Sequence, residues 1–376
     1  MWYLKTDTFL ILAAFSLLAG ALRRYCPARV FSAVLPALSL AVLFSISRRL
    51  CCFYIAYILL GAGCARLLKK WRRGLLFALL SLGATVPFFF SRLDSFGIQP
   101  PFLFVSTGIA FAMLKLIDVF YFVYYADMEI DPFTFANYML LLPVFTAGPI
   151  FRYRDFLVTH SAPLKIDAVL FTESFGRIVR GLFKKIIIAQ AASLAMARLM
   201  AMSEHWYVSL CAIICSYLIL YFDLSGYSDI AIAFGRLAGY DVPENFKRPW
   251  SAASFTQFWR CWHATLSDWI REHIYVAVGR RRLGRGATAA IAMGTMTIMA
   301  LWHGFNIPYL LAGVYNGALL AGENLLGLTT VSRRKTKKPV YILRCACVNL
   351  LFAVNTLVFT LNTEQVFFVL RGLTHR

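Results

Sequence analysis

The chain alternates long apolar runs with short basic clusters. Thr8–Leu22, Val30–Ser47, Leu50–Ala65 and Gly74–Ser91 carry no charged residue, and each predicts a membrane-crossing helix, for which ~20 apolar residues are needed. Their flanks are basic: Arg23, Arg24 and Arg29 after the first run, Arg48 and Arg49 after the second, Arg66 to Arg73 after the third. The stronger clusters follow the first and third runs, which puts those loops on the cytoplasmic side and the N-terminus outside. A segment opened by Pro100-Pro101 and reaching Tyr125 follows. It holds Lys115 and Asp118, spaced as an i,i+3 pair that neutralises itself. Phe133–Phe151 is uncharged but interrupted by Pro143 and Gly148, which is tolerable at membrane depth only under protein or water cover.

Further on, residues 173–185 interleave Glu173, Arg177, Arg180, Lys184 and Lys185 with aromatic and aliphatic residues, the pattern of an interfacial amphipathic helix. Trp206–Phe222 is another span, followed by the small polar stretch Asp223–Asp229. Ser254–Tyr275 is too polar to cross lipid alone and too aromatic for an ordinary loop, so it lies at the interface or lines a wet cavity. Within it Trp259, His263 and Ser267 follow one another at i, i+4, i+8 and share one face of a helix. Gly286–Gly322 runs 37 residues without Asp, Glu, Lys or Arg, enough for a hairpin of two spans. Arg280, Arg281, Arg282 and Arg285 precede it and Arg333 to Lys338 follow, so both basic clusters fall on one side of the bilayer. Cys345–Thr363 is the last span. The fold class is therefore all-α, a polytopic transmembrane bundle of roughly 10–12 spans plus re-entrant or interfacial helices. No internal repeat or soluble domain is visible, and the first run suits a retained span better than a cleaved signal.

Composition agrees. The 376 residues are 60% hydrophobic with mean hydropathy +0.67 and 15% charged, outside the usual soluble range. The net charge of +20 belongs to loops that meet anionic head groups. It flanks apolar spans instead of forming a basic domain, so no nucleic-acid partner is expected. Nine cysteines, none in a Cys-x-x-Cys pair, read as small hydrophobes and not as a disulfide or metal framework.

Met299-Ala300-Leu301-Trp302-His303-Gly304 is the stretch with candidate chemistry. An ionisable residue inside an apolar run marks a functional site when it faces a polar cavity or partner. Histidine is the side chain suited to moving a proton near neutral pH. A helix from Gly286 carries His303 ~26 Å along its axis, toward the far face of the bilayer.

Four blocks carry a resemblance to a known family: Ala147–Phe156; Tyr221–Ile232 followed by Pro243-Glu244-Asn245-Phe246; Phe258–Arg271; and Leu301-Trp302-His303-Gly304. In this order and spacing the second half resembles the membrane-bound O-acyltransferase family in its bacterial branch, whose members acetylate exopolysaccharides or transfer D-alanine toward teichoic acid. Arg271-Glu272-His273 stands where the family often has Arg-Asp-Tyr, Asn316 replaces a second histidine, and the chain is shorter than alginate-type members. These departures bear on the substrate more than on the reaction class.

The resemblance implies a tunnel or funnel across the bilayer, with His303 as the catalytic histidine and His263 as the second polar position. Trp259, Trp262, Ser267, Arg271, Asn245 and Trp302 become substrate or tunnel candidates. Packing is the commoner role for the tryptophans, and capping or ion pairing for Asp223, Asp229, Asn245 and Arg271. It also implies residues 1–132 as N-terminal membrane helices, 133–330 as the catalytic core and 331–376 as a basic loop and last helix. No cofactor or metal is bound. The donor is a cytoplasmic thioester, acetyl-CoA or an acyl carrier, and the acceptor an extracytoplasmic polysaccharide or partner protein. The implied location is the inner or plasma membrane. D-alanyl transfer, donor transport and a non-catalytic role in polysaccharide export remain as rival functions.

Overall fold

A computed structural model describes residues 6–99, 108–162, 166–275 and 283–375; the expectations for Pro100-Pro101 and Arg280–Arg282 lie outside the described residues. The chain divides into two compact units, residues 1–178 with 230–243, and residues 179–229 with 244–376.

The first unit begins with four helices, α1 Thr6–Tyr25, α2 Ala28–Ile46, α3 Arg48–Lys70 and α4 Gly74–Phe90. The four apolar runs thus become four helices, the first three extended into their charged flanks and the fourth confined to its uncharged run. Asp7 at the start of α1 and Arg23 and Arg24 at its end suit the helix dipole. Ser47 caps α3 by accepting the Leu50 amide at 3.3 Å, so a single residue separates α2 from α3. On α3, Leu59 and Leu60 are 68% and 70% exposed, a surface that only lipid would cover favourably.

α5, Ile109–Ala126, is the most enclosed of the long helices, and both its charges are buried. They reach across to the next segment. Lys115 donates to the Tyr138 carbonyl at 3.0 Å, and Asp118 accepts from the Tyr138 hydroxyl at 3.2 Å and the Tyr153 amide. Phe133–Phe151 is accordingly no straight span. Asp131 caps α6, Pro132–Met139, through the Thr134 amide. The helix gives way to a single 3-10 turn at Leu142–Val144, and Gly148 has φ 102°. Pro143 cannot continue a helix, and the freed backbone is enclosed by protein, since Asn137 to Phe145 are all buried. α7, Tyr153–Ser161, then packs its aromatic face inward.

Arg23 closes this unit by donating to the carbonyls of Thr159, Ala162 and Gly239. His160 bridges Ser32 at 3.1 Å and Tyr240 at 3.0 Å. Burial, with repulsion from Arg23, lowers its imidazole to about 4.

The second unit takes over within α8, Ala168–Leu182. A π-helical turn at Phe183–Ala189 and α9, Gln190–Leu199, follow. The expected amphipathic stretch is therefore part of a longer helical segment. α10 spans Trp206–Leu237 and runs without interruption through Asp223–Asp229, where sequence alone suggests a change of structure. The π turn explains why: Lys184 pairs with Asp229 at 2.6 Å and Lys185 with Asp223. Gly226 permits the approach, because a Cβ there would lie 2.6 Å from the Gly181 carbonyl.

α11 is Phe255–Trp259 and α12 Ala264–Ile270. The long hairpin is α13, Arg285–His303, and α14, Ile307–Leu326. α15, Lys338–Thr360, and α16, Thr363–Gly372, complete the unit. Met196, Ala212, Ile213, Ala353, Leu357 and Val369 form one apolar core. Within it α10 and α15 are bonded through Ser216 and Thr356 at 2.8 Å and through Tyr217 and Asn349 at 2.9 Å.

The chain is an all-helical multi-pass protein of the cell membrane. Six of its described helices (α1, α2, α3, α5, α10 and α15) are long and apolar enough to span, with α4 a shorter apolar helix; 10–12 spans were expected. The hairpin helices are 19 and 20 residues long but diluted by Gly, Ala, Thr and Asn. Those residues serve helix packing: a Cβ at Gly313 would come 2.7 Å from the Thr297 Cα, and one at Gly317 2.9 Å from the Met293 Cα. Close approach through small residues is how helices associate in lipid. The cysteines are free, and Cys52, Cys211 and Cys347 face outward from α3, α10 and α15 instead of filling the interior.

Candidate functional site

The polar aromatic stretch does not form one helix. It breaks after Trp259, and His263 sits in the left-handed region at φ 44°, ψ 47°. That conformation costs a non-glycine residue on the order of 1 kcal/mol or more and persists only where its surroundings enforce it. Asn245 supplies the enforcement. Its carbonyl accepts the Ala264 amide at 2.8 Å, and its side-chain oxygen accepts the Thr265 amide at 3.3 Å and hydroxyl at 2.8 Å. These are the donors a helix N-terminus leaves unpaired. Glu323 does the same for α11, accepting the amides of Phe255 and Thr256 and the Thr256 hydroxyl. The single shared face expected for Trp259, His263 and Ser267 is thus replaced by a kink.

Beyond the kink lies the space that His263 shares with His303. Both line one cavity of about 50 Å³ inside the second unit. Its wall is built from stripes at helical spacing: Leu220 and Leu224 of α10; Met296, Met299, Ala300 and His303 of α13; Ala312, Gly313 and Asn316 of α14; Phe352, Asn355 and Phe359 of α15. Trp259, Trp262, His263 and Leu266 close the remaining side. His303 is the last residue of α13, with its ring edge-on to Phe359 at 5.2 Å and to Trp302 at 5.0 Å. His263 lies outside the spans, and burial pushes its imidazole down to about 4, so it is neutral at physiological pH.

A second cavity, about 290 Å³, is lined by Thr256, Arg260, Ser267, Asp268, Arg271, Thr288, Thr295 and Asn324 among others, and Trp259 and Met296 line both. Along α13 the second cavity takes Thr288, Ala292, Thr295 and Met296, and the first takes Met296, Met299, Ala300 and His303. The two therefore lie in sequence along the hairpin. The larger is nearer the Arg285 end, and two exposed arginines, Arg260 and Arg271, stand on its wall.

The structure brings together most of the candidates. His303, His263, Trp259 and Trp262 line the inner cavity; Ser267 and Arg271 line the outer one, Arg271 paired with Asp268 at 2.7 Å. Two fall elsewhere. Asn245 lines neither cavity and acts as the cap just described. Trp302 also lines neither and packs beside His303. Trp262 is in addition a packing anchor, stacked on Phe258 at 5.6 Å and tilted against Phe352 at 4.7 Å. Sequence reasoning missed Glu323 and Asn355. A charged residue just past an uncharged run signals Glu323; nothing short of the fold singles out Asn355 in an apolar span.

Comparison with known proteins follows the same residues. The model of the membrane-bound O-acyltransferase family matches residues 64–361. A probable alginate O-acetylase of Pseudomonas putida is 32% identical over 289 residues, covering 74% of this chain and 57% of its own length. A teichoic acid D-alanyltransferase of Bacillus subtilis is 24% identical over 294 residues, 73% of this chain and 74% of its own. A peptidoglycan O-acetyltransferase of Helicobacter pylori is 29% identical over 201 residues, 50% of this chain and 36% of its own. The chain thus spans about half the length of the alginate acetylases it matches.

Proposed function

The chain belongs to the membrane-bound O-acyltransferase family, and on that premise we propose that it transfers an acetyl group from a cytoplasmic thioester to a hydroxyl of an exported or cell-surface polysaccharide, directly or through an extracytoplasmic partner. The observation that carries this is that His303 and His263 line one cavity, which shares Trp259 and Met296 with a second cavity toward the Arg285 end of the hairpin.

The roles follow from what each group can do. Arg260 and Arg271 suit the phosphates of a coenzyme A or phosphopantetheine donor. A neutral His303 takes the proton of the acceptor hydroxyl as its oxygen attacks the thioester carbonyl. The C–S bond then breaks, and the thiolate leaves with the proton the imidazole carried. The indole N–H of Trp259 is buried without a hydrogen-bond partner and is a donor for the developing oxyanion. His263, neutral and held by its strained backbone, positions the acyl group.

Two features favour acetyl over D-alanyl. The inner cavity is lined mostly by apolar side chains of Leu, Met, Ala, Phe and Trp, which suit an uncharged acetyl better than a charged D-alanyl unit. Its lining contains no Asp or Glu, so a D-alanyl ammonium would enter without a counter-charge.

The test is His303→Ala in the full chain in membranes, with acetyl-CoA as donor. Transfer should fall on the order of 10²–10⁴-fold with protein level and membrane insertion unchanged. Retained transfer would remove His303 as the base. Donor flux into proteoliposomes lacking any acceptor would instead identify a transporter.

A further inference from the structure

The inner cavity carries two polar side chains that the proposed chemistry does not use. Asn316 on α14 and Asn355 on α15 both line it, and they are only 4% and 6% exposed. The side-chain oxygen of each is buried with no hydrogen-bond partner. Asn316 has its orientation fixed by an unambiguous bond: its Nδ2 donates to the Ala312 carbonyl at 2.8 Å. A carbonyl can only accept, so the amide cannot flip, and the bare end is the oxygen. A buried acceptor without a donor has lost its hydration with nothing in return. Two of them on the wall of one small cavity is an arrangement that a ligand O–H or N–H would relieve.

Position along the hairpin narrows the choice of ligand. Neither asparagine lines the outer cavity, where the arginines stand. Asn316 lies on α14 between Gly313, which faces Thr297 and Ala300, and Gly317, which faces Met293. Asn355 lies on α15 between Phe352, beside Trp259, and Phe359, beside His303, so both look onto the space between the Trp259 and Met296 wall and His303. A thioester acyl group presents only a carbonyl and a methyl there and has no hydrogen to donate. A sugar has several hydroxyls: one can give its proton to His303 while its neighbours donate to amide oxygens.

We propose that Asn316 and Asn355 form the acceptor subsite, a pair of side-chain amides, the first fixed as a hydrogen-bond acceptor by its bond to Ala312, that takes the hydroxyls flanking the one to be acylated at one edge of the sugar and so selects a polyhydroxylated carbohydrate over water or a lone alcohol. This rests on the acyltransfer reading above. The pair binds substrate and sets its orientation, and His303 performs the proton transfer.

The experiment uses the full chain in proteoliposomes, acetyl-CoA as donor, and two acceptor probes with free vicinal hydroxyls, a uronic acid oligomer and a neutral hexose oligomer. Asn316→Leu and Asn355→Leu remove the oxygen at nearly constant volume. Each should raise the acceptor KM at least tenfold, leave the acetyl-CoA KM within twofold, and increase the share of acetyl-CoA lost to hydrolysis. Asn316→Asp and Asn355→Asp keep an acceptor oxygen at the same place and should recover most of the acceptor affinity, which a merely structural asparagine would not show. An unchanged acceptor KM in the Leu variants, beside an inactive His303→Ala control, overturns the subsite and leaves the acyltransfer reading standing. An equal rise in both KM values, or hydrolysis by the wild-type chain with neither oligomer acetylated, also overturns it. Activity in the His303→Ala control removes the reading itself and the subsite with it.

Discussion

The side-chain oxygen of Asn245 lies 2.8 Å from the hydroxyl of Thr265, 20 residues further along the chain, and this bond fixes the start of the helix that follows His263. The same asparagine takes the backbone amides of Ala264 and Thr265. The strained histidine is thus held from outside its own segment.

Asn245→Ala should therefore cost about 1–2 kcal/mol of stability and lower activity beyond that loss, because His263 would relax out of the left-handed region. Thermal unfolding in detergent reads the first effect and acetyl transfer at a temperature where the variant is folded reads the second. Asn245→Asp, which keeps the accepting oxygen, should retain most of both. Full activity in Asn245→Ala would show that the backbone of His263 needs no clamp.

The hairpin yields a second prediction. Gly317 faces the backbone of Met293 so closely that an added Cβ would sit 2.9 Å from its Cα. Gly317→Val should separate α13 from α14 and destabilise by about 1–3 kcal/mol through overpacking. Gly294, whose added Cβ meets nothing within 4 Å, is the control: Gly294→Ala should leave the melting temperature unchanged or slightly raise it. Comparable losses in the two variants would mean that backbone freedom, not close packing, accounts for the glycines.

The third concerns pH and the first unit. His160 is held near 4 by burial and by Arg23, below its ordinary value near 6.5. A histidine lowered on folding leaves the unfolded chain to bind protons first, so its stability contribution is complete above about 6.5 and is lost as pH falls toward 4. Melting temperatures measured between pH 7 and 4 should decline over that window. His160→Gln, which does not titrate there, should flatten the decline while lowering the melting temperature at pH 7 through the lost contacts to Ser32 and Tyr240.

How much of this was legible beforehand depended on the physics involved. Apolar runs long enough to span lipid announce themselves, so the helices from Thr6 to Phe90 and the hairpin around His303 were readable residue by residue. The two histidines in the blocks that carry the resemblance, His303 and His263, line one cavity. Conformations set from a distance were not readable. Helical spacing put Trp259, His263 and Ser267 on one face because nothing within the segment reveals the clamp from Asn245. Asp223–Asp229 read as a change in structure because the two lysines that neutralise it come from a different helical segment, 38 and 45 residues away. Pro143 and Gly148 did signal that Phe133–Phe151 needs cover, but not that Asn137 to Phe145 would be wholly enclosed by protein, because an enclosed broken segment and one beside water carry the same residues.

The wall that Trp259 and Met296 place between the two cavities bears on the energetics of the cell itself. A conduit broad enough to admit a whole coenzyme would short-circuit the proton gradient on which the membrane depends. With an indole and a thioether shared between the cavities, the transfer proposed above would ask only a fragment the size of an acyl group to cross, and the barrier to ions would stand.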